Sequence, residues 1–523
     1  MLHGDSYVPL SDLERQLFAR LVPPDHFLRR LPGVIDFERF RPALAEHYCP
    51  GEGRPALDPV FMLKLDLLSI QFRLSDRELM RVAQVNVAYR LFLDIGCDTT
   101  LPHHTTMTYF RDRVGAETLR KIFHGVLGQA RERGIVGDRL RLKDATHIIA
   151  NIAIPSTIRL VAETRDHLLD AAEPLAPALV AAAWHDADAI ATGSDDVPDT
   201  ERLVRRVHHL RSILVWADEL PHSAAFGAAA AAHREKLLAA LALAHKVLAD
   251  REDPKASDKV LSVHDPDARC GKHGDFFDGY LTDVTMDADS ELITGINVLP
   301  ANGDEGGDAA YLIRQEEAAQ GNDVAAISID GAGYRGPVLR ELTEPDGLNL
   351  QVYTPPSARI PLTVFGPEQF TRSADGKTLT CPAGQTTGSY ERSTNDTGVK
   401  FRFAKKQCRG CALRAQCLAD PHTKNRTVVK NDYEAEYRAA QAQAQTAAYR
   451  AVRQEHPAIE RKLSELVCRH DLRRARYRGL AKVLRQALLT AIAVNVKRMV
   501  KLVRGVPSGQ RPGTVRAELA ATD

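Results

Sequence analysis

The sequence predicts an α+β protein with an all-α N-terminal module, a strand-bearing core, a helical insertion and a cysteine-bearing insertion. Three observations carry this reading. Residues 10–130 show helix caps and helical apolar spacing. Short β-type runs occur within 139–149, 279–298 and 324–330. Two stretches interrupt the core: an Ala/Leu-rich one at 165–255 and a Pro/Gly-rich one at 338–430.

Each element has a local cause. Asp58-Pro59 places an N-cap acid before a proline at the first helical position, so a helix starts at Pro59. Ser75-Asp76-Arg77-Glu78 is a capping box, followed by Leu79, Val82 and Ala83 at helical spacing. A linker from Gly96 to Pro102 precedes a further helix from Thr105. These short helices fit a helix-turn-helix or a plain bundle, and His103-His104 reads as a helix-start feature. Leu140 and Leu142 alternate with charges, which is a strand pattern. The 165–255 stretch reads as two or three helices, with polar breaks near 192–198 and 220–226. Strands follow at Gly279–Val284, Leu292–Val298 and Val324–Asp330, with a helix at 308–319 between the last two. Residues 432–503 are again helical, and the chain from Gly505 reads as a flexible tail.

Composition excludes several classes. The 523 residues are 44% hydrophobic and 26% charged, which does not fit disorder. Eight cysteines are too sparse for a disulfide scaffold. No apolar run reaches the ~18 residues of a membrane span, and the acidic, interrupted N-terminus does not fit a signal peptide, so a cytoplasmic, nucleoid-associated protein is expected. The net charge of +1 hides an uneven distribution. Residues 461–504 hold 13 Lys and Arg against two acids, and residues 401–430 hold eight against one. Dense basic runs of this kind suit a polyanionic partner.

Two acids stand at strand positions. Asp144 interrupts an apolar and basic strand, and Asp330 ends an apolar strand just before the turn Gly331-Ala332-Gly333. A carboxylate there needs a cation or hydrogen-bond donors, and two facing carboxylates suit Mg²⁺ or Mn²⁺. Taken singly, each can also be a turn or helix cap. The helix around 459–466 offers Glu460 and Glu465, about 140° apart on a helix, so the two cannot point the same way. Glu460 borders an apolar face formed by Leu463 and Val467. Cys408-x-x-Cys411-x₅-Cys417, with Cys381 on a tight turn, has the spacing of a tetrahedral Zn²⁺ site, although free thiols or a redox pair at Cys408/Cys411 use the same residues. Cys49, Cys97, Cys270 and Cys468 are expected to be buried thiols. Lys462, Arg469, Arg473, Arg474, Arg476 and Arg478 are candidates for gripping DNA phosphates, with Tyr477 for stacking. Arg473 to Arg478 are spaced too closely for one helix face and are expected on a turn or loop. His264, Asp265 and Asp267 read as a polar strand-turn beside the site.

Several of these strings together resemble a known family. They are Ile459–Leu466, Arg473–Leu480, Asn495–Arg498, Asp144–Ile148, Ser262–Arg269, Asp330–Tyr334, Leu74–Leu79 and Arg90–Leu93. In this order, over residues ~50–505, they look like bacterial insertion-sequence transposases of the DDE type, closest to the insertion-sequence 1182 group. The resemblance implies an RNase H-like core, a mixed sheet flanked by helices. It implies that Asp144, Asp330 and Glu460 clamp two Mg²⁺ or Mn²⁺ ions. It implies cleavage of double-stranded DNA at terminal inverted repeats, strand transfer into target DNA, and a homodimer. His456 and Val467 stand where the family usually has Arg and Lys, and Asp471 where Gly is common. Arg453, Lys462 or Arg469 are neighbours able to supply the missing charge. The rival expectations are an RNase H-like nuclease without strand transfer and a catalytically impaired, domesticated DNA-binding protein.

The expected organisation is a DNA-binding helical module at 1–130, a core at 131–160 and 258–340, a helical insertion at 161–257, a loop-rich insertion with a zinc site at 341–431, C-terminal helices of the core at 432–505, and a tail at 506–523.

Overall fold

The computed structural model describes residues 7–49, 55–193, 197–357, 364–395, 397–420 and 422–503; the expected tail at 506–523 lies outside the described residues. Capping chemistry fixes the N-terminal helices as the sequence suggests. Asp58 accepts the Phe61 N–H at 2.8 Å and starts helix Pro59–Gln71. Ser75 and Glu78 form the reciprocal capping box of helix Asp76–Val85. Helix Thr105–Glu132 is broken at Gly115, whose φ of 67° a side chain would resist. These helices share one apolar core with the sheet and the C-terminal helix Leu480–Leu502, running from Leu31 and Leu65 through Leu142, Ile148 and Tyr280 to Ile492 and Val496. Across this junction Asp66, fully buried, receives Arg111 from one helix and Arg485 from the other.

The central sheet has six strands: β1 (Arg141–Ile149), β2 (Arg269–His273), β3 (Asp275–Asp287), β4 (Ile293–Pro300), β5 (Ala326–Ser328) and β6 (Gln351–Tyr353). β3 is long enough to pair with β2 along Asp275–Gly279 and with β4 along Tyr280–Met286. The order across the main part is β4–β3–β1–β5–β6. β4, β3 and β1 are antiparallel, whereas β1, β5 and β6 are parallel. The parallel steps need crossovers. Helix Glu305–Gln320 leads from β4 to β5, and helix Gly336–Thr343 from β5 to β6. The architecture is therefore mixed α+β. Gly279 has φ 154°, and a side chain there would collide with the Ile148 carbonyl, so β3 can bend where it crosses the end of β1 only because this residue is glycine.

Residues 157–252 form four long helices, Thr157–Ala172, Pro177–Thr192, Asp199–Ala217 and Ala231–Glu252, around their own apolar cluster including Leu168, Leu210 and Leu237. Two or three helices are expected from the sequence. Pro174 and Pro177 divide the first Ala/Leu-rich run into two, because proline cannot continue a helix interior. The cysteine-bearing region holds two small three-stranded sheets over a core of Phe370, Leu379, Phe401 and Val428. The remaining cysteines correct an expectation: Cys49, Cys97, Cys270 and Cys468 are all exposed rather than buried.

Candidate active site

Strand alternation decides which way the acids point. On one face of β1, Arg141 meets Glu316 and Asp287, and the Lys143 ammonium lies 2.8 Å from Asp283 and also donates to the Glu305 carbonyl. That face is covered by helix Glu305–Gln320. Successive strand residues point oppositely, so Leu142 and Asp144 face the other layer. β5 behaves alike: Ile327 and Ile329 pack with Ile313 and Leu339, while Ser328 turns to the opposite side and meets His456.

The parallel register pairs Arg141 with Ile327 and Leu142 with Ser328. Carried two residues further, it sets Asp144 beside Asp330. Burial, and then the charge of Asp330, push the Asp144 carboxyl up to about 6, even though the Ala145 N–H donates to it at 2.8 Å. Asp330 caps the short turn Gly331–Gly333, accepting the Ala332 N–H at 3.1 Å. Beyond this point β1 leaves β5, and its edge next meets Arg474, with the Ile149 N–H donating to the Arg473 carbonyl at 2.9 Å. Between the Asp330 turn and the loop at 472–479, this edge of β1 has no strand partner among the described residues.

Glu460 lies on helix Pro457–Ser464, which packs against β1 through Ile459. Its position along the strand follows from two anchors. His456 Nδ1 and Ser328 Oγ are 3.0 Å apart, which puts His456 level with the Leu142–Ser328 pair. Glu460 is one helical turn further, about 6 Å. Asp144 and Asp330 are two strand residues further, about 6.6 Å. Helix and strand run the same way, since Arg139 pairs with Glu455 at one end and Ile149 meets Arg473 at the other. Glu460 is exposed, one helical turn beyond His456 on the helix that packs against β1. Although burial alone would raise the Glu465 carboxyl, Lys497 at 2.7 Å and Lys462 at 3.0 Å bring it down to about 2.

Local charge is divided unequally. Lys143, Lys462 and Lys497 are all paired with other acids, so the cations left near Asp144 and Asp330 include Arg453 and the exposed Arg469 and Arg474. Two residues hold the end of β5. Arg453 donates to Ser328 Oγ at 3.2 Å and to the Ile329 carbonyl at 3.0 Å. His456 is buried, and desolvation followed by the charge of Arg453 lowers it to about 4, so it is neutral. The sequence reading marked His456 only as a departure; its spacing of four residues from Glu460, one helical turn, is the signal for its role. Among the described residues, no group of three or more His, Cys, Asp or Glu side chains is gathered closely enough to hold a metal ion.

The other candidates divide. Arg469 and Arg474 are exposed. Arg473 and Arg478 donate to the carbonyls of His147 and Asn151 at 2.8 and 3.0 Å, and the Arg476 N–H donates to the Gln486 side chain at 2.8 Å, so these residues fasten the loop to β1 and to the C-terminal helix. Lys462 is buried on Glu465. Tyr477 is half-buried against Arg111 and Arg485, lining a cavity between the N- and C-terminal helices. Asp265 accepts the Gly479 N–H and Asp267 the Leu480 N–H, so this pair caps the C-terminal helix. His103 bonds Thr105 at the start of its helix.

Cys381, Cys408, Cys411 and Cys417 line one small cavity of about 30 Å³ with Phe370 and Phe403. Burial first, opposed by Arg426, and then the three other thiols push Cys417 up. Cys381 sits on a turn closed by the Gly384 N–H, with Gly384 at φ 75°.

Two family models match the chain. Residues 16–113 match the transposase domain DUF772, and residues 380–500 match a transposase DDE domain. Glu460 and the four clustered cysteines fall inside the second match, whereas Asp144 and Asp330 lie between the two. No curated protein and no solved structure matches the chain. The two matches, one toward each end and framing the acid-bearing sheet, support a DDE transposase.

Proposed function

We propose that the protein is a DNA transposase of the bacterial insertion-sequence kind, in the 1182-like group, built on an RNase H-like core. The observation that supports this reading is the parallel pairing of β1 with β5, which sends Asp144 and the residue just past β5, Asp330, toward each other, with the Glu460-bearing helix packed on β1. The order β4–β3–β1–β5–β6, antiparallel on one side and parallel on the other, supports the RNase H-like reading. In this reading Asp144, Asp330 and Glu460 would supply hard oxygen donors of the kind that suit Mg²⁺ or Mn²⁺, and Glu460 would have to draw in to the two aspartates to complete the set. Such ions, two of them, supply Lewis-acid activation of the attacking oxygen and stabilisation of the leaving one.

The chain's own residues do the rest. Asp144 and Asp330 fix the scissile phosphate's place through the groups they hold, and Glu460 closes the set from above. Arg453 and His456 keep Asp330 in position by holding the end of β5. Arg469, Arg474 and Arg476 contact phosphates, with Arg473 and Arg478 positioning their loop. Lys462 and Tyr477, buried at ion-paired and inter-helix sites, act through packing. The substrate is double-stranded DNA at the element's terminal repeats, the reaction is strand cleavage followed by transfer to target DNA, and the working form is a homodimer in the cytoplasm, associated with the nucleoid. Cys381, Cys408, Cys411 and Cys417 bind one structural Zn²⁺ that orders a region with a small apolar core.

The test is an assay with plasmid carrying the sequences that flank the gene. Mn²⁺-dependent cleavage and joined end–target product are expected from the wild-type chain. Cleavage without joining reduces the reading to a nuclease, and DNA binding without cleavage reduces it to a binding protein.

A further inference from the structure

The hairpin of β2 and β3 is unlike the rest of the sheet edge. Its turn is Gly274, at φ 76°, and its two faces have different surroundings. On one face the Phe277 ring lies 4.8 Å from the His147 ring of β1, and the His273 ring lies 6.0 Å from that His147 ring. His273 is near enough to Asp144 for its charge to act on that carboxyl. On the other face Phe276 is 76% exposed, an unusual placing for a phenylalanine beside an acid cluster. Lys272, its cross-strand partner, sets its ammonium 5.5 Å from the Phe276 ring centroid. Both side chains line an open groove of about 790 Å³ that continues to Asn302, Ala332 and Arg335, and so reaches the turn that Asp330 caps.

We propose that this hairpin contacts the DNA strand being cut, with Phe276 stacking on an unpaired base next to the scissile phosphate and Lys272 on the neighbouring phosphate. The inference rests on the transposase reading for the identity of the strand. Its own content is physical. An exposed aromatic ring gains from a base face whatever the base sequence, and a lysine beside it matches the repeating backbone charge. The stack of Phe277 on His147 ties the hairpin to the catalytic strand, so a base held by Phe276 has a fixed distance from Asp144. The bend at Gly279 aims the hairpin.

The experiment uses the full chain and a 20-nucleotide mixed-sequence single strand with a central 2-aminopurine, beside the matching duplex, both in Ca²⁺ to suppress cleavage. Phe276→Ala should weaken single-strand binding roughly ten-fold and abolish the change in 2-aminopurine emission, with duplex binding within about two-fold of wild type. Phe276→Trp should restore both signals, and Lys272→Gln should lower the salt slope by about one. Phe276→Ala binding the single strand as wild type does overturns the proposal. The failures are separable. A wild-type chain that cuts no DNA in Mn²⁺ sinks the transposase reading, while Phe276-dependent binding of the single strand still supports the hairpin contact. A chain that cuts DNA with or without Phe276, and binds the single strand alike, sinks the hairpin alone.

Discussion

The two faces of β1 handle charge in opposite ways. Arg141 and Lys143 are almost completely buried, and each meets carboxylates: Glu316, Asp287 and Asp138 for the first, Asp283 for the second. One residue along, Asp144 faces the other layer next to Asp330, with its carboxyl pushed up to about 6 by burial and by that neighbour. The compensated face is a foundation: a buried charge with a partner missing costs several kcal/mol, so each partner there is needed for stability. The uncompensated face does not stabilise the fold. In the proposed function its charge would serve a cation and a phosphate.

The comparison can be broken most severely at the acids. Asp144→Asn, Asp330→Asn and Glu460→Gln should each reduce Mn²⁺-dependent cleavage by about a thousand-fold or more, while circular dichroism and the melting temperature stay near wild type. A variant that loses its fold together with its activity would assign that acid to the foundation instead.

The opposite outcome is expected across the strand. Arg141→Met removes the only ion-pair partner of Asp287 among the described residues and leaves Glu316 with Arg131, and should cost about 3–5 kcal/mol of stability. The check is thermal unfolding followed by far-ultraviolet dichroism, where the first transition should move down markedly.

The cysteine region offers a third contrast, since its apolar core is small and four cysteines line one cavity beside it. Purified protein should contain close to one zinc per chain by elemental analysis, and Cys408→Ser should lose it and become protease-sensitive within 364–431. Zinc-free protein with that region equally resistant would remove the zinc site.

Glu465 gives the pH arm. Its carboxyl is held at about 2, below the usual carboxylate range, by Lys497 and Lys462 against the effect of burial. A lowered folded-state value contributes stability above the unfolded value near 4.5 and loses it as pH falls toward 2. Wild-type protein should therefore lose more stability between pH 5 and 2.5 than Glu465→Gln does, measured by denaturant titration. The smallest effect belongs to exposed phosphate contacts. Arg469→Ala and Arg474→Ala should each weaken DNA binding mildly and reduce the salt slope by about one.

Much of this was legible locally and little of it globally. Caps at Asp58 and Ser75 obey short-range chemistry and appear where the sequence suggests. Asp144 and Asp330 are visible as acids in strand-like runs, because a lone acid in such a run is costly. That they are neighbours is a matter of the β1–β5 register, which joins residues over 180 positions apart and leaves no local trace. The hairpin is half legible: the strand at Gly279–Val284 is apparent, whereas β2 and the first residues of β3 carry no strand expectation. Lys462 reads as a surface lysine beside Glu460, yet it is buried because Glu465 and Lys497 on a distant helix complete an ion network around it. Charge counting finds 13 basic residues in 461–504 and does not separate exposed ones, such as Arg469 and Arg474, from those, such as Arg473, Arg478 and Arg485, that hold the chain to itself.

The central claim is that Glu460, rather than Glu465, joins the two aspartates. Mn²⁺-dependent cleavage of plasmid DNA bearing the gene's flanking sequences, compared among wild type, Glu460→Gln and Glu465→Gln, tests it most directly. The account predicts that Glu460→Gln is inactive and folded, while Glu465→Gln keeps most of its activity. An inactive Glu465→Gln beside an active Glu460→Gln would contradict it.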